Sequence, residues 1–172
     1  MVTIRTFATG GAILAVVVVV ASLAVIGPSD FFLPEQSTQV DEELADGDAE
    51  VLASGSFVGT SGYDVTGTVL LLRDDEGLFL RFENYSQTQG PDVFVYVTPS
   101  PTPDSRAEIT AGTKVPIDGG ADDGESTKEG TFTQRLPEGV TAADINGVGI
   151  WCERFSAPFG YAELNPVSGE TT

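Results

Sequence analysis

Histidine is absent from this 172-residue sequence, and cysteine occurs once, as Cys152. Without imidazole the chain cannot by itself assemble a His-ligated zinc, copper or haem centre, a Ser-His-Asp triad or a Cys-His dyad. A single thiol also excludes an intramolecular disulfide and the two-sulfur cycle of a CxxC pair. Basic side chains are scarce, six Arg and two Lys against 26 acids, so the net charge is −18. A field this negative repels phosphate backbones, and no nucleic-acid partner is expected. No cofactor and no His- or Cys-built metal centre is expected either.

One long apolar run is present. Phe7 to Ile26 carries no charge over 20 residues, and at about 1.5 Å per residue it spans the roughly 30 Å hydrocarbon core of a bilayer. A cleaved signal peptide would have an apolar core of about 7–15 residues ending at a small-x-small site. Here the run is longer and passes through Val25-Ile26 into Gly27-Pro28. Residues 7–26 are therefore read as a transmembrane anchor. Arg5 is the only base before it and the next is Arg73, which makes the protein single-pass in the cell membrane, N-terminus cytoplasmic and C-terminal domain extracellular.

Residues 27–52 are read as an acidic stalk or linker, with eight acids and no base between Pro28 and Leu52. The alternative is a short amphipathic helix from Val40 to Leu52, because Val40, Leu44 and Val51 fall near one helical face. Beyond the anchor, 26 acids face seven bases, a net of −19. Such a surface suits concentrated salt, where charge is screened within about 3 Å at 1 M. A haloarchaeal source is expected on that ground, with an ordinary acidic ectodomain as the alternative.

From residue 53 to 165 short apolar runs alternate with Gly, Pro, Asp and Asn, the punctuation of β-structure. The runs are 56–60, 64–73, 78–85, 92–98, 130–136, 147–155 and 158–164. In LFLRFENY, Leu78, Leu80 and Phe82 alternate with Phe79, Arg81 and Glu83, the period of two of a half-buried strand. Asp74-Asp75-Glu76-Gly77 reads as a hairpin loop. Seven strands without a convincing helix predict an all-β fold, an antiparallel β-sandwich or jelly-roll-like domain. Phe57, Val69, Leu80, Phe82, Val95 and Ile150 are expected in its core, and residues 166–172 form a disordered tail.

Other features carry weaker chemistry. Pro99, Pro101 and Pro103 favour an extended segment without ladder donors. The polar loop 117–130 offers Asp118, Asp122, Asp123 and Glu125 as calcium ligands, although their spacing departs from the EF-hand loop. Asn84-Tyr85-Ser86 is a glycosylation sequon that an external location would permit. Carboxylate pairs such as Glu83 with Asp92 or Asp64 with Asp75 are what a glycoside hydrolase would need, but nothing in their sequence spacing supports one.

The segment GSFVGTSGYDVTGTVLLLRDDEGLFLRFENYSQTQGPDVFVYVTPSPTP and the later GVGIWCERFSAPFGYAEL resemble the DM-thirteen domain, also called the electron-transfer DM domain. The matching elements are Gly55 and Phe57, Val65 to Val69, Gly90 to Val97 and Ile150 to Leu164. The resemblance implies a β-sandwich-like extracellular module whose cysteine, matching Cys152, is redox active, often beside DOMON or cytochrome-b-type domains. This chain departs from the family where a His is often found, reading Gly62-Tyr63-Asp64-Val65, and in its acidic 104–130 segment. It carries no accompanying redox module, so an electron partner must be a separate protein.

Two functions follow from two readings of Cys152. As an accessible thiolate, with Trp151, Arg154 and Phe155 as site neighbours, it makes the chain a membrane-tethered electron-transfer or thiol-redox accessory module. As a core residue, which strand alternation with Val148 and Ile150 favours, it leaves a non-redox module that binds a cell-surface partner. Neither reading is an enzyme in the ordinary sense.

Overall fold

Alternation becomes pleat in the computed structural model, which describes residues 37–42, 49–60 and 62–167. The strands are β1 (Thr38–Asp41), β2 (Glu50–Gly59), β3 (Val65–Asp74), β4 (Gly77–Gln87) and β5 (Val93–Thr98), followed by β6 (Thr113–Val115), β7 (Lys128–Arg135), β8 (Gly147–Cys152), β9 (Ala157–Glu163) and β10 (Asn165–Pro166). One five-residue helix, α1 (Arg106–Thr110), lies between β5 and β6. The anchor at 7–26 and most of the stalk lie outside the described residues. Among the described residues no helix is long and apolar enough to cross a membrane.

The expected antiparallel β character holds, but the strands form one curled sheet, a half-barrel, rather than two separate sheets. Its order is β1-β7-β4-β3-β2-β9-β8-β5-β6, with β10 also on β2. Strand β2 makes the fold: Glu50–Ser56 pairs with β3, whereas Phe57–Gly59 pairs with β9. The chain thus hands one wing of the sheet over to the other within a single strand. Val69, Leu80, Phe82 and Phe132 from the first wing meet Val95, Val148, Ile150 and Phe159 from the second in one core. Each such side chain withdrawn from water contributes roughly 1.5–3 kcal/mol before entropy is counted. All six residues predicted for the core are buried.

Two irregularities set which side chains enter that core. The β4 register slips between Phe82 and Tyr85, with Asn84 in a left-handed conformation at φ 49°. The bulge shifts the phase, so Tyr85 and Gln87 follow Leu80 and Phe82 inward. Across from it Gly67 adopts φ 106°, and a Cβ there would stand 2.8 Å from the Asn84 carbonyl oxygen. Only glycine lets the two backbones meet so closely.

The stalk boundary needs correction. Within the 27–52 segment, Thr38–Asp41 lies parallel to β7 as the edge strand, and β2 begins at Glu50. The docking is electrostatic as well as backbone-mediated: Lys128 Nζ donates to Glu42 Oε1 at 3.0 Å and Thr133 N donates to Glu42 Oε2 at 3.1 Å. The alternative helix over Val40–Leu52 is replaced where described, since Val40 and Leu52 both lie in strands. At the other end, Pro166 pairs with Ala53 and Val167 N donates to Leu52 O, so the segment read as a tail begins inside the fold. Residues 168–172 lie outside the described residues.

Strands β5 and β8 are buried along their whole length. Their inner side chains join the main core; their outer ones, Phe94, Tyr96 and Trp151, form a second cluster with Ile109 of α1. The helix lies close because β8 offers Gly149, where a Cβ would approach Ile109 Cγ1 to 2.9 Å. Nothing in the 106–110 pattern predicts a helix, because five residues are too few to show a period of 3.6.

Candidate functional site

Cys152 ends β8 with its side chain on the inner face, in line with Val148 and Ile150, and all three are 0% exposed. The thiol donates to the Pro91 carbonyl oxygen at 3.2 Å. The chain then turns. Glu153 N donates to Asp92 O at 2.8 Å, Arg154 Nε donates to Asp92 Oδ2 at 2.9 Å, and Ser156 takes φ 50° before β9 begins. Burial pushes the thiol above its ordinary value; backbone N–H groups of Phe155 and Arg154 oppose that shift, Asp92 reinforces it, and the Arg154 charge opposes it. The sulfur is thus a protonated, core-facing thiol at the start of a turn whose Phe155 and Arg154 amides temper the rise in its pKa.

The residues expected beside Cys152 are divided among three environments. Trp151 points the other way, 3% exposed, into the cluster beneath α1. Arg154 sits at the surface in its ion pair with Asp92. Phe155, at the crest of the turn, is 53% exposed. The expected cation and aromatic surroundings therefore belong to an exposed turn next to Cys152 and not to the walls of an open cleft.

Sequence reasoning missed a second group on the outer face. Tyr96 OH donates to Glu153 Oε1 at 2.6 Å, and Lys114 Nζ reaches the same oxygen at 3.0 Å. Lys114 Nζ also lies 3.1 Å from the Phe94 ring centroid, a cation–π contact. Desolvation, followed by the bond to Glu153, drives the Tyr96 phenol upward; the Glu153 carboxyl is lowered chiefly by that same hydrogen bond. The one available signal was Tyr96 two residues from Phe94 on the same face of a strand. Nothing in the spacing from 96 to 114 to 153 announced that the three would meet.

A third polar group closes the open end of the half-barrel. Tyr85 donates to the Gln87 amide oxygen, Gln87 Nε2 donates to Ser126 O at 2.6 Å, and Ser126 N donates to Val93 O at 2.8 Å. Glu129 accepts from Gln87 N and Gln89 Nε2, each at 3.1 Å, and from Gln39 Nε2 at 2.5 Å. The loop read as polar over 117–130 is buried from Glu125 to Glu129.

The remaining candidates stay apart. Asp118, Asp122 and Asp123 are exposed while Glu125 is buried, and among the described residues no group of three acids or cysteines gathers to hold a metal. Asp64 and Asp75 flank the ten-residue β3, which separates them by about 36 Å at about 3.3 Å per residue. Glu83 pairs with Arg81 and Asp92 with Arg154, so neither carboxylate pair forms a hydrolytic centre. Asn84 is exposed at its bulge.

Residues 56–164 match the family model described as electron transfer DM13. The chain belongs to the DM13 family. No curated protein and no solved structure matches it. The matched span runs from within β2 to the end of β9, so Cys152 with the turn after it and the Tyr96–Glu153 pair all belong to the DM13 domain, and β1 stands outside it. Membership in an electron-transfer family gives the chain a redox-related role.

Proposed function

We propose that this DM13 protein is a membrane-tethered extracellular redox module in which Cys152 reacts when the Glu153–Ser156 turn lifts. The observation carrying this reading is the turn itself. It directly follows a core-facing thiol, is pinned to Asp92 at two points, and carries the Phe155 and Arg154 amides that oppose the rise in the thiol's pKa. Those amides favour the thiolate once water and a reactant arrive. The thiolate then attacks one sulfur of a disulfide on a separate redox or cell-surface protein. One S–S bond forms, and the other partner sulfur leaves as a thiolate. The uncharged run at 7–26 supports a membrane anchor, and the acid excess supports work in concentrated salt.

Native thiol labelling of the full-length protein in detergent tests this. Asp92 has φ 56°, which Asn adopts readily, so Asp92→Asn removes the Arg154 clamp without straining the backbone. Labelling is expected to be slow in the wild type and at least about tenfold faster in Asp92→Asn. The complete burial of the sulfur favours a second reading, a core cysteine in a non-redox binding module. Protection that persists in both proteins until global unfolding would put that reading first.

A further inference from the structure

We propose that Tyr96, with Glu153 as its proton acceptor, is a one-electron redox site of this domain that operates independently of Cys152. A phenol that loses an electron becomes a very strong acid, so its oxidation is easiest where the departing proton already has an acceptor in a short hydrogen bond. Tyr96 meets that requirement: it is 8% exposed and its hydroxyl lies 2.6 Å from Glu153 Oε1. Lys114 Nζ, 3.0 Å from the same oxygen, holds the carboxylate in place. The ring packs with Phe94 and Trp151 in the cluster that Ile109 of α1 joins, which fixes it in place.

The step balances without a resident cofactor. A one-electron oxidant, a ferric or cupric centre on a partner protein, takes one electron from Tyr96 and is reduced by one. The phenolic O–H bond breaks, the proton crosses to Glu153, and a neutral Tyr96 phenoxyl radical faces a neutral Glu153 carboxylic acid. Reduction by the next donor returns the proton to oxygen. The molecule contains its own comparison: Tyr85 is also buried, but its hydroxyl donates to the Gln87 amide oxygen, which does not hold a proton at neutral pH. Tyr85 therefore remains silent.

The test uses the full chain in a Cys152→Ser, Tyr63→Phe, Tyr161→Phe background, oxidised with photogenerated tris(bipyridine)ruthenium(III) and freeze-quenched for electron paramagnetic resonance. Circular dichroism confirms that each variant is folded. A tyrosyl radical signal is expected in this background, lost with Tyr96→Phe and unchanged with Tyr85→Phe. Glu153→Gln, which keeps a hydrogen-bond acceptor but cannot take the proton, is expected to lower the radical yield at least about tenfold. A signal that survives Tyr96→Phe, or a Glu153→Gln yield equal to that of the background, overturns the proposal. So does a signal present with Cys152 and absent from the Cys152→Ser background, a result that would leave the thiol reading standing.

Discussion

The two wings of the sheet bury a tyrosine each and use it in opposite ways. In the β4 wing Tyr85 is enclosed by Phe57, Phe82 and Phe132 and donates a hydrogen bond to an amide oxygen, so the hydroxyl merely satisfies itself inside the core. In the β5 wing Tyr96 lies on the outer face and donates a hydrogen bond to a carboxylate that a lysine also holds. The first arrangement stabilises; the second can move a charge. The difference arises from the partner and not from burial, because both phenols are shifted upward chiefly by desolvation.

The largest expected effect breaks the first wing. Phe82 is 0% exposed, stacks on Phe132 at 4.7 Å and meets Tyr85 at 5.1 Å. Phe82→Ala is expected to cost about 3–5 kcal/mol through lost transfer energy and the cavity left behind. Urea unfolding measures it, and a loss below about 1 kcal/mol would mean that the first wing is not the rigid half of the fold.

A smaller effect, with a pH signature, comes from the edge of that wing. Glu129 is buried, and desolvation alone would raise its pKa; donors from Gln87, Ser37, Gln89 and Ser86 outweigh it and hold the carboxyl below 4.5. A folded pKa below the unfolded value means stability present above about pH 4.5 and lost as pH falls through the folded value. Glu129→Gln should be destabilised by roughly 1–3 kcal/mol at pH 7, because its amide nitrogen confronts donors. It should also lose less on acidification than the wild type. Thermal midpoints at pH 7 and pH 3 check both, and equal acid losses in the two proteins would remove Glu129 from the account.

How far the sequence revealed this molecule follows the range of the interactions involved. Period-two patterning located β3, β4, β5, β8 and β9 and placed Cys152 inward, because alternation is local. Four things needed partners far along the chain. Edge strand β1 shows little apolar pattern and exists because β7 pairs with it; β2 changes neighbours at Phe57, which no residue there signals. Helix α1 depends on a gap at Gly149, and Glu153 meets Tyr96 only across the sheet. The thiol's direction toward the core was legible, but the clamp on the turn after it was not, since that turn is held from Asp92, 62 residues away from Arg154.

The smallest energetic effect sharpens the contrast most. Arg154 is half exposed and its pair with Asp92 ties down the turn that follows Cys152. Exposed pairs of this kind are worth less than about 1 kcal/mol, so Arg154→Ala should leave the urea midpoint almost where it was. If the turn opens on its own, a weak clamp still sets how often it opens, because local openings require far less free energy than global unfolding. Thiol labelling of native Arg154→Ala should therefore accelerate severalfold at an unchanged midpoint, while Phe82→Ala should shift the midpoint strongly. Labelling that rises only in proportion to lost global stability, in both variants alike, would show that the sulfur is reached through unfolding of the whole domain, and the second wing would then be as closed as the first.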